Sequence, residues 1–98
     1  MNSIETNIDG VDHAPIAINF PNGGSQEIFK FDNGYGASVV RHSFSYGGEM
    51  GLYELAVIRF SSKSDRWKIN YDTPITSDVI GYLAGTDVND LLNEIKKL

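Results

Sequence analysis

Arg41 and His42 stand side by side in the stretch SVVRHSFSYGGEMGLYELAVIRF, ahead of Tyr46 and a Gly-Gly-Glu turn that ends at Glu49. An imidazole that titrates near neutrality, beside a fixed cation and within reach of a carboxylate and a phenol, has the side chains needed for acid–base work or for gripping a partner. Spacing argues against the first use. Neighbouring residues of a strand point to opposite faces, so Arg41 and His42 share one pocket only if a bulge intervenes. His42 would lie on a face with Val40, Phe44 and Tyr46, which predicts a partly buried, hydrogen-bonded histidine. Ser43, Ser45 and Thr76 offer hydroxyls, yet no base stands at a spacing that would activate them. No catalytic residue is assigned, and the chain is not expected to be an enzyme.

Metal and cofactor chemistry fare no better. His13 and His42 are far apart, with no HExxH pattern or paired carboxylates around them, and there is no cysteine to supply a thiolate. Asp9, Asp12 and His13 read as a solvated acidic terminus. The YGGE and DNGYG glycines match neither the P-loop nor the dinucleotide fingerprint, so both read as turns. No metal and no cofactor are expected.

The elements that must hold these residues follow from periodicity. IAINF (16–20) and QEIFKF (26–31) are extended runs separated by PNGG, a hairpin turn whose Asn and Gly accept positive φ. QEIFKF puts Phe29 and Phe31 on one face, with Ile28 and Lys30 on the other. ASVVRHSFSY reads as a strand to Tyr46. LYELAVIRF is apolar on both faces towards its end, the mark of a central strand. WKINY alternates, with Trp67, Ile69 and Tyr71 expected inward. After Pro74 the period changes. TSDVIGYL reads as one or two helical turns capped by Thr76, and Thr86 as the cap of a clearer helix. In that helix Val88, Leu91, Leu92 and Ile95 form one buried stripe. The expectation is a single α+β domain over residues 1–98, an antiparallel β-meander of about four strands packed against a C-terminal helix. Residues 1–14 form a flexible leader in that reading, frayed at its first few positions.

Composition narrows the function classes. Ninety-eight residues suffice for one core, and five Phe, five Tyr and one Trp supply much of its area. No apolar run approaches the roughly 20 residues that cross a bilayer, and the acidic N-terminus lacks the basic region of an export signal, so no membrane association and a cytoplasmic location are expected. The formal net charge is -5. It is uneven, with the bases concentrated in residues 33–70 and acids dominating both ends. A phosphate backbone would be repelled by the whole and attracted only by the middle, which argues against direct nucleic-acid binding.

FDNGYGASVVRHSFSYGGEMGLYELAVIRF and NYDTPITSDVIGYLAGTDVNDLLNEI together resemble a group of small proteins encoded by bacteriophages and prophages, over roughly residues 31–95. No catalytic role is attached to that group, so no residue role carries over from it. What the resemblance implies is a setting: a small acidic protein in a bacterial host that binds a host protein, in its sharpest form inhibiting a defence system by occupying a basic surface. Glu49, Asp72, Asp78, Asp87 and Asp90 would supply the negative charge, Tyr35, Tyr46 and Tyr82 the aromatic anchors, and Arg41 a further contact. An assembly protein acting as a homodimer or larger homo-oligomer is the alternative, followed by a small enzyme of unknown class.

Overall fold

The computed structural model describes residues 4–98, so the fraying expected of the first few residues lies partly outside the described residues. The architecture is α+β, with one antiparallel sheet and one C-terminal helix. The sheet has six strands, two more than the four expected. They are β1 Ala17–Asn19, β2 Ser25–Lys30, β3 Tyr35–Arg41, β4 Tyr53–Phe60, β5 Trp67–Ile69 and β6 Ile80–Leu83; the helix, α1, is Gly85–Lys96. Strands β1 to β5 form a meander, and β6 returns to pair with β4. β4 is therefore the hub. β3 lies along one side of it, while β5 and β6 share the other, β5 pairing with Ile58–Phe60 and β6 with Tyr53 and Leu55.

β1 lies in the extended run expected at IAINF, and β6 is the strand that was not expected. The hairpin at PNGG forms as expected, with Asn22 at φ 49°, and brings β1 onto β2 as a three-residue edge. TSDVIGYL forms a turn followed by the strand Ile80–Leu83 rather than helical turns, which corrects the reading of that segment. Thr76 does not cap a helix. Its Oγ1 accepts the Asp78 N–H and donates to the Asp78 carbonyl, closing a side-chain turn that aims Ile80 along β4. Gly81 then passes so close to Tyr46 that a Cβ there would lie 2.4 Å from the Tyr46 Cβ.

One face of the sheet carries the main core. Phe29, Ala37, Val39, Leu55 and Val57 meet Val88, Leu92 and Ile95 of α1, the stripe expected from its spacing, with Leu91 partly buried beside them. The helix starts two residues earlier than Thr86 suggested. Ala84 is the N-cap, and the Asp87 carboxylate accepts the Ala84 N–H at 3.0 Å. Its C-terminus is held by DNGYG: the Asn33 amide donates to the carbonyls of Ile95, Lys96 and Leu98, while Asn33 Oδ1 accepts the Tyr35 N–H. That turn serves the orphan carbonyls of the helix end rather than a phosphate.

The segment before β1 is tied to the same face. Ile8 is 4% exposed in the main core, and Thr6 and Asn7 both donate to the Glu27 carboxylate. The opposite face of the sheet has no helix over it. Ile28, Ile58 and Phe60 cluster there with Ala17 and Trp67. Trp67 and Ile69 therefore do not point into the helix-covered core, and Ile69 is 42% exposed. None of the helices described is long and apolar enough to cross a membrane.

Candidate functional site

The loop that joins β3 to β4 is the most distinctive local structure. β3 stops at Arg41, five residues short of the strand expected to reach Tyr46. Local side chains take over the main-chain hydrogen bonds. Ser45 Oγ accepts the His42 N–H and donates to the His42 carbonyl, and the imidazole Nδ1 accepts the Phe44 N–H at 3.0 Å. Such bonds compete directly with a strand ladder and turn the chain at once. His42 is half-buried and hydrogen-bonded, as its face suggested, but its bond serves the turn. Ser45 is clasped to the histidine main chain, not to its ring, so the pair is not arranged as nucleophile and base.

Because the strand ends there, Arg41 and His42 reach one cleft without a bulge. The cleft measures about 610 Å³ and is lined by Glu27, Arg41, His42, Glu49 and Tyr53 among others. Arg41 is exposed; its guanidinium carbon lies 4.9 Å from the centre of the Tyr53 ring and its Nη1 donates to the Gly51 carbonyl at 3.4 Å. Glu27 is the surprise of the site, a carboxylate on the helix-covered face that is 1% exposed. Its two oxygens accept Thr6 Oγ1–H at 2.6 Å and the Asn7 N–H at 2.9 Å.

Burial raises the pKa of Tyr53 above the ordinary 10.0; the Arg41 charge opposes the rise, and Glu27 and Asp9 add to it. A raised value means the folded state holds the phenolic proton more tightly than the unfolded chain. Tyr53 therefore contributes stability in full below about pH 10, and that contribution is lost as pH rises through the folded-state value. An ultraviolet titration of tyrosinate should show one of the five tyrosines ionising last. Tyr53→Phe should remove that final phase; if the phase survives, the assignment is wrong.

Beside the cleft, large apolar side chains face solvent. Phe20, Phe44, Tyr46, Met50 and Tyr82 are each 60 to 80% exposed. They belong to one end of the sheet: Phe20 in the β1–β2 turn, Phe44, Tyr46 and Met50 in the β3–β4 loop, and Tyr82 on β6 against that loop. Ser43 Oγ donates to the Asn22 carbonyl between the first two turns, and the Tyr82 N–H donates to the Tyr46 carbonyl. Tyr82 has φ +58°, a left-handed conformation that costs an aromatic residue about 1–2 kcal/mol. Strain of this kind concentrates where a side chain must be presented.

The remaining expected contact residues scatter. Tyr35 lies at the far end of the sheet, half-buried, with the Arg59 guanidinium carbon 4.5 Å from its ring centre, so it is no exposed anchor. Asp72, Asp78, Asp87 and Asp90 are exposed, but none lines the cleft. Two of them have local tasks: Asp78 Oδ1 accepts the Val79 N–H, and Asp87 holds the helix start. The fold brings Tyr46 to Tyr82 and Arg41 to Glu49. Phe20, Phe44, Met50, Glu27 and Tyr53 were missed; the available signal was large apolar residues set among turn formers in FPNGG and SFSYGGEMG.

Charge divides along the sheet. Every lysine and arginine except Arg41 lies at the other end. Lys30 ends β2, Arg59 sits near the end of β4, Lys63 and Arg66 occupy the β4–β5 loop, Lys68 is on β5, and Lys96 and Lys97 close the helix. The aromatic end keeps Glu49 and Glu54, so it is the acidic one. Among the described residues no group of three or more His, Cys, Asp or Glu converges as metal ligands. Compared with protein-family models, curated proteins and solved structures, the chain matches none.

Proposed function

We propose that the chain is a small, non-catalytic protein-binding module that docks through its aromatic, acidic end onto an apolar pocket with a basic rim. The observation that carries this reading is the exposure of Phe20, Phe44, Tyr46, Met50 and Tyr82 together on adjoining turns, with Tyr82 held in a costly conformation. Aromatic anchors of this kind supply most of the energy of an interface, and a complementary charged rim speeds encounter. In the setting implied by the phage-like sequence pattern, the partner is a host protein whose basic surface handles nucleic acid, such as a component of a bacterial defence system, and binding occupies that surface in the cytoplasm.

The test is affinity capture of the tagged protein from nuclease-treated lysate of a defence-rich bacterium, read by mass spectrometry and then with the purified partner. A single stoichiometric partner is expected. The pair Phe44→Asp and Met50→Asp should weaken it by roughly 30-fold or more, the equivalent of about 2 kcal/mol. Lys68→Glu, at the opposite end, should leave it intact. Capture that the aspartate pair does not weaken would refute docking at this end. Self-association abolished by the same pair would move the surface to a homo-oligomer.

A further inference from the structure

We propose that the groove along β5, at the basic end, binds single-stranded nucleic acid, as a second site separate from the aromatic end. The sequence-wide charge argued against such binding, but the fold segregates the charge. Seven of the eight lysines and arginines gather at this end against Asp32, Asp65 and Glu94, a local excess of four positive charges. The molecule extends 35 Å along its longer axes, about four Debye lengths at physiological ionic strength, so the acidic end is screened from a ligand held here.

The groove has the two features that single strands use. It measures about 800 Å³ and is lined by Phe60, Trp67 and Ile69 together with Arg59, Arg66 and Lys68. Trp67 is half-exposed on the sheet face that carries no helix, packed at its base on the Ile28, Ile58 and Phe60 cluster. A fixed aromatic surface stacks a base of any sequence, and flanking cations follow the phosphates. β5 is short and forms an outer edge of the sheet, so an extended strand can lie along it.

A second observation points the same way. The register sets Arg59 directly opposite Lys68, on the sheet face away from Trp67 but reaching the groove around the β5 edge, and such a like-charge pair lowers stability unless an anion answers it. Among the described residues the only ion pair is Lys30 with Asp65, at 2.7 Å, so Asp65, which also lines the groove, is engaged by Lys30 and neither Arg59 nor Lys68 has a carboxylate in contact there. The Arg59 guanidinium is partly answered by the Tyr35 ring, whereas Lys68 has no such partner among the described residues, a local inconsistency of the kind that marks a ligand site. Phosphates would supply the missing charge.

Trp67 is the only tryptophan, so its fluorescence reports on the groove alone. The protein would be titrated with oligothymidylate, with a DNA duplex of equal length and with polyglutamate, at low and at physiological salt. Oligothymidylate is expected to quench Trp67, with affinity falling at least tenfold between the two salt conditions. The double variant Arg66→Glu, Lys68→Glu should bind at least tenfold more weakly while melting no lower than the parent, since a carboxylate opposite Arg59 relieves the like-charge pair. Trp67→Leu should lose a comparable factor, followed by the anisotropy of a labelled oligonucleotide. Three outcomes overturn the proposal: no quenching at low salt; equal quenching by polyglutamate, which would make the groove a docking site for acidic protein segments; or equal response to the duplex, which would remove the stacked base. Aspartates at Phe44 and Met50 should leave the titration unaltered, so failure at this site and failure of the protein-docking reading are separable.

Discussion

Glu27→Ala is expected to lower the unfolding free energy by about 3 kcal/mol, a large share of the 5–15 kcal/mol typical of a domain. Two effects oppose each other. Removing a carboxylate that is 1% exposed relieves its desolvation, which alone would stabilise the fold. Against that, Thr6 and Asn7 lose the oxygens they donate to, and among the described residues the Asn7 N–H makes no other hydrogen bond. Thr6 Oγ1 also accepts the Ile8 N–H at 3.1 Å, so Glu27 indirectly seats Ile8 in the core. Alanine leaves a cavity as well as unpaired donors, and the loss should win. Glu27→Gln separates the terms: its carbonyl keeps one donor, its amide faces the other, and the loss should be about 1 kcal/mol. Denaturant unfolding measures both variants, and hydrogen exchange at Ile8 should accelerate in the alanine variant before the helix amides change. Equal costs for the two substitutions would show that the hydrogen bonds are not what Glu27 contributes.

Why Glu27 escaped notice in the sequence is a matter of what periodicity can carry. In QEIFKF the alternation correctly divides Phe29 from Ile28 and Lys30, and by the same rule it sets Glu27 on the Phe29 face. A charge on a buried face is legible only once its partners are known, and these come from 20 or 21 residues away in the least periodic part of the chain. The helix stripe was legible because Val88, Leu92 and Ile95 repeat within one element. β6 was not, because VIGYL has no alternation of its own and becomes a strand only where the β4 edge and the Tyr46 turn receive it. The same holds for β3. Its sequence alternates through Phe44, but Ser45 and His42 replace the ladder with bonds inside the turn, and that exchange puts Arg41 and His42 on one cleft. The site is thus built from the places where local side-chain bonding overrode the period.

Charge shows the same limit. Along the chain the bases form a middle block, which suggested a weak attraction within a repelling whole. Strand pairing converts that block, with Lys30 and the helix end, into one pole. The antiparallel order puts the β2–β3 and β4–β5 turns together, and Asn33 draws the helix C-terminus to them. The β1–β2 turn and the β3–β4 loop fall at the other end with the exposed aromatics. Two separable surfaces follow from one meander.

Gly36→Ala is expected to cost about 3 kcal/mol or more, the upper end for overpacking, and to lower the melting temperature by roughly 12–24 °C. A Cβ at 36 would stand 1.9 Å from the Phe29 carbonyl oxygen and 2.8 Å from Cε2 of Phe60. The first obstacle is backbone of the paired strand β2 and cannot rotate away. The second is a ring with Lys30 Nζ 5.1 Å from its centre on one side and Trp67 as its cross-strand partner, so displacing it disturbs the floor of the β5 groove. Gly34→Ala is the control. Gly34 has φ +87° but open space around it, so the substitution should cost only the left-handed penalty of about 1–2 kcal/mol. In the native state of the Gly36 variant, Trp67 emission should shift towards that of a solvated indole, whereas the Gly34 variant should emit as the parent does. Were the two alanines to cost the same with unaltered emission, the close approach of Phe60 to β3 would not be what fixes Trp67 in place, and the groove would owe its shape to the β4–β5 hairpin alone.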